Sequence, residues 1–134
     1  MRNSLMFAEI GLKGKLFDMQ EAKALLPLVR AVTISQRADL TPIQAKLNKM
    51  LANDPRRKVF ETDYQVVVSQ WRNKVELLGA RVSGLWTVEF DVGGGSLCWR
   101  YPELGLNYFR ADGVGFSERV KLQDYINETD PDWV

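Results

Sequence analysis

Cys98 and Arg100 stand two positions apart in the stretch Leu97-Cys98-Trp99-Arg100, and Arg119 closes a second stretch, Gly115-Phe116-Ser117-Glu118-Arg119. A thiol on the same strand face as a guanidinium could supply a nucleophile, because a nearby cation lowers a thiol pKa. The guanidiniums of Arg100, Arg119 and Arg110 suit a different chemistry, the bidentate capture of a phosphate or carboxylate. Glu89 and Glu103 lie in the same half of the chain and supply counter-charges. Each group also has a plainer reading. Cysteine is commonly a small buried hydrophobe, and cross-strand Arg–Glu pairs can simply solvate an exposed sheet face. No general base accompanies Cys98, so catalytic residues stay unassigned. Arg100, Arg119, Glu89, Glu103 and Cys98 form a candidate ligand-binding set.

Composition removes other chemistries. The 134 residues contain no histidine and one cysteine. A Ser-His-Asp triad or Cys-His dyad therefore cannot form, and one thiol without an imidazole cannot build a zinc tetrahedron. No Asp-rich loop has calcium-binding spacing. No metal and no cofactor is expected. Gly93-Gly94-Gly95 is not a phosphate loop, since no Lys-Ser or Lys-Thr follows it. Arg56-Arg57-Lys58 opens a helix against the dipole, which suits a solvated turn or a phosphate contact.

Charge and hydropathy set the class. Residues 1–58 hold 11 Lys/Arg against 5 Asp/Glu, and residues 59–134 hold 7 against 12, for a net charge of +1. Opposite charges meeting within the fold or across a dimer explain this split; no nucleic-acid reader motif accompanies the basic half, which disfavours nucleic acid. No apolar run reaches the roughly 20 residues of a membrane span, and Met1 to Ile10 lacks the pattern of a signal peptide. A lone cysteine fits a reducing compartment, so a cytoplasmic location is expected.

These residues need elements to position them. Ser4 to Ile10 reads as an extended segment ended by a Gly11–Gly14 turn. Asp18 and Glu21 make a capping box, and Ala22, Leu25, Leu26, Val29 and Val32 follow as one helical stripe. Pro27 predicts a kink, and Thr41-Pro42 either a second break or a fresh start. Phe60, Tyr64, Val67, Trp71, Val75 and Leu78 form the seam of a second, antiparallel helix from about Arg56 to Leu78, with Gly79 at its C-terminal cap.

From Arg81 to Asp91 the period becomes alternating, predicting one strand. A two-residue loop at Gly93-Gly94 pairs Phe90 with Leu97, Val88 with Trp99 and Trp86 with Tyr101. It sets Cys98 opposite Glu89 and Arg100 opposite Thr87, on the face away from the helices. A three-residue loop would put apolar opposite polar throughout. Strands near Leu106–Arg110 and Phe116–Leu122 complete a meander, and 127–134 reads as an acidic, flexible tail. The fold class is α+β: a kinked helical hairpin on a small antiparallel sheet, one domain over 1–126.

The stretch Glu21-Ala22-Lys23-Ala24-Leu25-Leu26-Pro27, with Leu97-Cys98-Trp99-Arg100, Glu103 and Gly115-Phe116-Ser117-Glu118-Arg119, resembles a bacterial family of small proteins catalogued as a domain of unknown function, over roughly residues 16 to 122. That family usually carries Trp-His where this chain has Phe109-Arg110. The resemblance implies the fold and no activity.

Two functions are expected from these readings. The first is a noncatalytic binding or interaction module, homodimeric through the broad apolar face that Val66, Val67 and Val68 add to the second helix. The second is a small enzyme or sensor for an anionic ligand at the arginine-lined sheet face.

Overall fold

The structure is a computed structural model that describes residues 15–129. The segment expected at Ser4–Ile10, the Gly11–Gly14 turn and the end of the acidic tail lie outside the described residues. Helix α1 (Met19–Lys49) starts at the expected capping box: the Asp18 carboxylate accepts the Glu21 N–H at 2.7 Å, and the Glu21 side chain accepts the Asp18 N–H at 2.9 Å. Pro27 and Pro42 both lie within this one helix, so Thr41-Pro42 starts no new one. The Thr41 hydroxyl donates to the Arg37 carbonyl at 3.0 Å.

Helix α2 (Arg57–Leu77) returns antiparallel against α1. The basic run has a structural use here. Arg57 donates to the Leu47 and Met50 carbonyls at 3.1 and 3.5 Å, capping the end of α1 where a cation is favoured. Arg56 pairs with Asp54, and its hydrogen bonds hold the Asp54 carboxyl down to about 2. Between the helices the Trp71 indole donates to Thr33 Oγ1 at 2.8 Å, and that hydroxyl donates to the Val29 carbonyl at 2.8 Å. Gly79 follows α2 with φ of +97°, as a helix-ending glycine should.

The sheet has five strands in chain order: β1 (Arg81–Gly84), β2 (Thr87–Asp91), β3 (Gly95–Arg100), β4 (Tyr108–Ala111) and β5 (Val120–Lys121), all antiparallel. The β2–β3 register is the expected one: Phe90 pairs with Leu97, Glu89 with Cys98, Val88 with Trp99 and Thr87 with Arg100. Gly93 and Gly94 both have positive φ, as the two-residue hairpin loop demands, and Val92 N–H donates to the Gly95 carbonyl at 3.0 Å.

The single strand expected over Arg81–Asp91 is instead a hairpin, and this corrects the sequence reading. The chain reverses at Leu85-Trp86, with Trp86 at φ of +56°, and Arg81 pairs with Glu89. The Trp86 ring meets Trp71 of α2 edge-on at 4.9 Å, and that packing holds the turn in a backbone region unfavourable for a bulky residue. Phe116–Glu118, expected in a strand, forms a short 3-10 turn instead. Helix α3 (Leu122–Thr129) follows β5 and takes Asn127–Thr129 as its end.

The core lies between the hairpin and one sheet face. Ala22, Leu26 and Val29 of α1, with Trp71 and Val75 of α2, meet Val88, Phe90, Leu97, Trp99 and Phe109, while Leu122 and Ile126 close one end. The fold class is α+β. No described helix is long and apolar enough to cross a membrane.

Candidate functional site

Strand alternation sends Thr87, Glu89, Ser96, Cys98, Arg100, Tyr108 and Arg110 to the sheet face opposite the core. The expected solvent exposure of this face is largely absent. Glu89 is 1 % exposed and Cys98 0 %, and Ser96 and Thr87 are also buried. Long arginine arms and rings cover them.

Glu89 is the centre of one charge cluster. Its Oε1 accepts Arg81 Nη2 and Arg110 Nη2, each at 2.7 Å, and its Oε2 accepts Arg110 Nε at 2.8 Å. Arg81 also reaches Ser96 Oγ at 2.9 Å, and Arg110 reaches the Val114 carbonyl at 2.8 Å. Burial is the largest single influence on the Glu89 carboxyl and pushes its pKa up. The hydrogen bonds and charges of Arg110 and Arg81 outweigh it, so the net direction is down. The same pairing raises Arg110. Glu89 is thus a charged, saturated acceptor.

Cys98 Sγ lies 3.7 Å from Glu89 Oε2 and 3.6 Å from the Ser96 carbonyl. Burial, then the Glu89 charge, push the thiol up to about 12. A thiol in that state supplies no thiolate near neutral pH. Arg100, two residues on, does not offset it.

Glu103 organises the second cluster. It follows Arg100 through a tight turn, its N–H donating to the Arg100 carbonyl at 2.8 Å and its carbonyl accepting the Trp99 indole at 2.7 Å. Its carboxylate accepts the Arg100 N–H at 2.9 Å and the Arg119 guanidinium at 3.1 and 2.5 Å. Arg119 is therefore bidentate on Glu103, with its side chain 15 % exposed. Its guanidinium carbon also lies 4.0 Å from the Tyr108 ring centroid and 4.4 Å from that of Phe116.

The guanidinium carbon of Arg100 lies 4.3 Å from the same Phe116 ring. The result is an alternating chain of contacts: Tyr108, Arg119, Phe116, Arg100. Arg100 is exposed, and its Nε makes one long contact of 3.4 Å to Thr87 Oγ1. Among the described residues no carboxylate meets its guanidinium.

All five candidate residues, with Arg110, thus share one face, but in two groups with different states. Glu89, Cys98 and Arg110 are closed, Glu103 and Arg119 are paired to each other, and Arg100 alone presents donors outward. Sequence reasoning missed Phe116, Tyr108 and Arg81. Phe116 was visible three residues before Arg119, and Tyr108 could have been placed by continuing the register to β4, where it faces Cys98. Phe109 enters the core and Arg110 turns to Glu89. Among the described residues no cluster of three Cys, Asp or Glu could hold a metal ion.

The chain belongs to the family described as "uncharacterized conserved protein (DUF2203)", whose model matches residues 15–122. No curated protein and no solved structure matches the chain.

Proposed function

We propose, from membership of a family that brings no activity with it, that this chain is a noncatalytic binding module whose ligand carries an anionic group held by Arg100. The carrying observation is the outward guanidinium of Arg100, which lies on the Phe116 ring, meets no carboxylate among the described residues, and extends from a backbone N–H held by Glu103. A planar fork held this way suits a carboxylate or phosphate. In these two clusters Glu89 and Glu103 are taken up by Arg81, Arg110 and Arg119, and neither reaches the Arg100 guanidinium. An enzyme acting on the same anion is the rival reading. It lacks support in the two groups closest to a chemical role, since Cys98 is held as a thiol and Glu89 is saturated by arginine. A reducing, cytoplasmic setting accords with a lone buried thiol.

The test is a thermal-shift panel of phosphates and carboxylates. A ligand raises the melting temperature by mass action. Arg100→Lys should remove that rise and leave the ligand-free melting point nearly unchanged. No rise across the panel, or unfolding of Arg100→Lys, defeats the reading.

Self-association is a second reading, favoured by Val59, Val66 and Leu77 of α2, which are 60 %, 49 % and 86 % exposed. As a homodimer the protein should scatter light at about twice its chain mass of 15.3 kDa, and Val66→Glu should return it to monomer. A monomer at high concentration ends it.

A further inference from the structure

Arg119 shows what a completed arginine site looks like in this fold. Its guanidinium has two rings, Tyr108 at 4.0 Å and Phe116 at 4.4 Å, and one bidentate carboxylate, Glu103. Arg100 is the next member of the same contact chain and has half of that environment. It shares the Phe116 ring at 4.3 Å, but among the described residues it has no second ring and no carboxylate. Both residues belong to one rigid unit, because Glu103 accepts the Arg100 backbone N–H and the Arg119 guanidinium with the same oxygen.

We infer that the ligand of Arg100 supplies both missing parts and is an aromatic carboxylate, with a flat ring and a carboxylate presented together. This rests on the anion site proposed above and narrows its ligand class. A guanidinium is flat, weakly hydrated and cationic over its whole plane. It accepts a π-face on one side while its edge donors take a carboxylate in plane. An aliphatic acid of equal charge uses the edge and leaves the face to water. The cluster already holds its own ring–cation–ring arrangement at Arg119, so the surface is pre-organised for one more layer. The same pair of groups can come from a free aromatic acid or from neighbouring aromatic and acidic side chains of a partner chain.

The test uses the full chain and three probes of one charge: benzoate, cyclohexanecarboxylate and acetate, titrated by NMR with the Arg100 Nε–H and Phe116 ring signals followed. Benzoate should bind about two- to five-fold more tightly than cyclohexanecarboxylate, the preference expected for a stacked cation at an exposed site. Its ring current should shift the Arg100 signal. Arg100→Lys should lose the preference for the flat ring. A capped Asp-Phe dipeptide that binds more tightly than benzoate points to a partner chain as the source, and one that binds more weakly points to a free acid. Equal affinities for benzoate and cyclohexanecarboxylate overturn the aromatic class while leaving an anion site. No binding by any of these probes, nor by inorganic phosphate titrated in the same way, removes the anion site itself.

Discussion

Cys98 and Glu89 face each other across the β2–β3 ladder, with Sγ 3.7 Å from Oε2 and both side chains sealed from solvent. The carboxylate is already charged and saturated by two arginines, so a thiolate beside it would be a second buried anion. Burial and that neighbour hold the thiol at about 12. Native protein at pH 8 should therefore react with a thiol reagent at least tenfold more slowly than the unfolded chain, which retains an ordinary thiol pKa. Rapid labelling of the native state would show that the pair opens readily.

Glu89 also fixes a pH dependence. Its folded pKa lies below the unfolded value of about 4.3, so its contribution to stability is complete above that value and is lost as pH falls through the folded pKa. Denaturant melts from pH 7 to pH 3 should show a steeper loss in the native protein than in Glu89→Gln. At pH 7 Glu89→Gln should cost about 2–4 kcal/mol, toward the low end for a broken buried pair, because the buried carboxylate is lost while its partners Arg110 and Arg81 keep partial contact with solvent. Parallel pH curves would remove Glu89 as the titrating group.

Arg100 and Arg119 should behave oppositely on substitution, although both were candidates for the same anion. Arg119→Lys loses the bidentate bond to Glu103 and contacts to two rings, and should cost about 1–3 kcal/mol by chemical denaturation. Arg100→Lys should change stability by less than about 0.5 kcal/mol, as for exposed sites. Equal costs would mean that Arg100 has a structural partner after all.

Trp99 lies on the core side of the same strand, 0 % exposed, with its indole N–H on the Glu103 carbonyl at 2.7 Å. Trp99→Ala should cost about 3–5 kcal/mol, and it should also weaken Arg119 by loosening Glu103. Cys98→Ser should cost far less, since a hydroxyl at that position can donate to the Glu89 carboxylate. Measuring both by urea denaturation decides the order; equal, severe losses would contradict it.

The β2–β3 register was legible because apolar pairs on one face and a loop of two glycines admit a single alignment, and the capping box was legible from Asp18 and Glu21 alone. The β1–β2 turn was not. Val82, Gly84, Trp86 and Val88 keep an unbroken alternation through it, and Trp86 adopts positive φ only because Trp71, fifteen positions earlier, receives its ring. The burial of Glu89 was hidden for a similar reason. Its cover comes from Arg81 of the adjoining β1 and Arg110 of β4, beyond β3, whose arms lie over a centre they must also neutralise. Nothing local to Glu89 distinguishes it from a surface glutamate. The candidate residues were found together because strand alternation places them on one face. Which of them stays open was decided by Glu103, whose turn geometry selects Arg119 over Arg100 as its partner.

Helix α1 is 31 residues long, about 46 Å at 1.5 Å per residue, but its apolar contacts with the main core end near Val32, with only the polar contacts of Thr33 to Trp71 and Arg37 to Tyr101 just beyond. Beyond that point Gln36, Leu40 and Leu47 of α1 and Val67 of α2 are buried in the two-helix layer, outside the core that the sheet completes. The protein therefore has a gradient in opening free energy along the hairpin. Backbone amides around Trp71 and Val29 should exchange hydrogen only on global unfolding, and those approaching the Leu51–Asp54 bend should exchange through local fraying. The bend is thus the place where a protease or a grafted segment would enter with least effect on the arginine face.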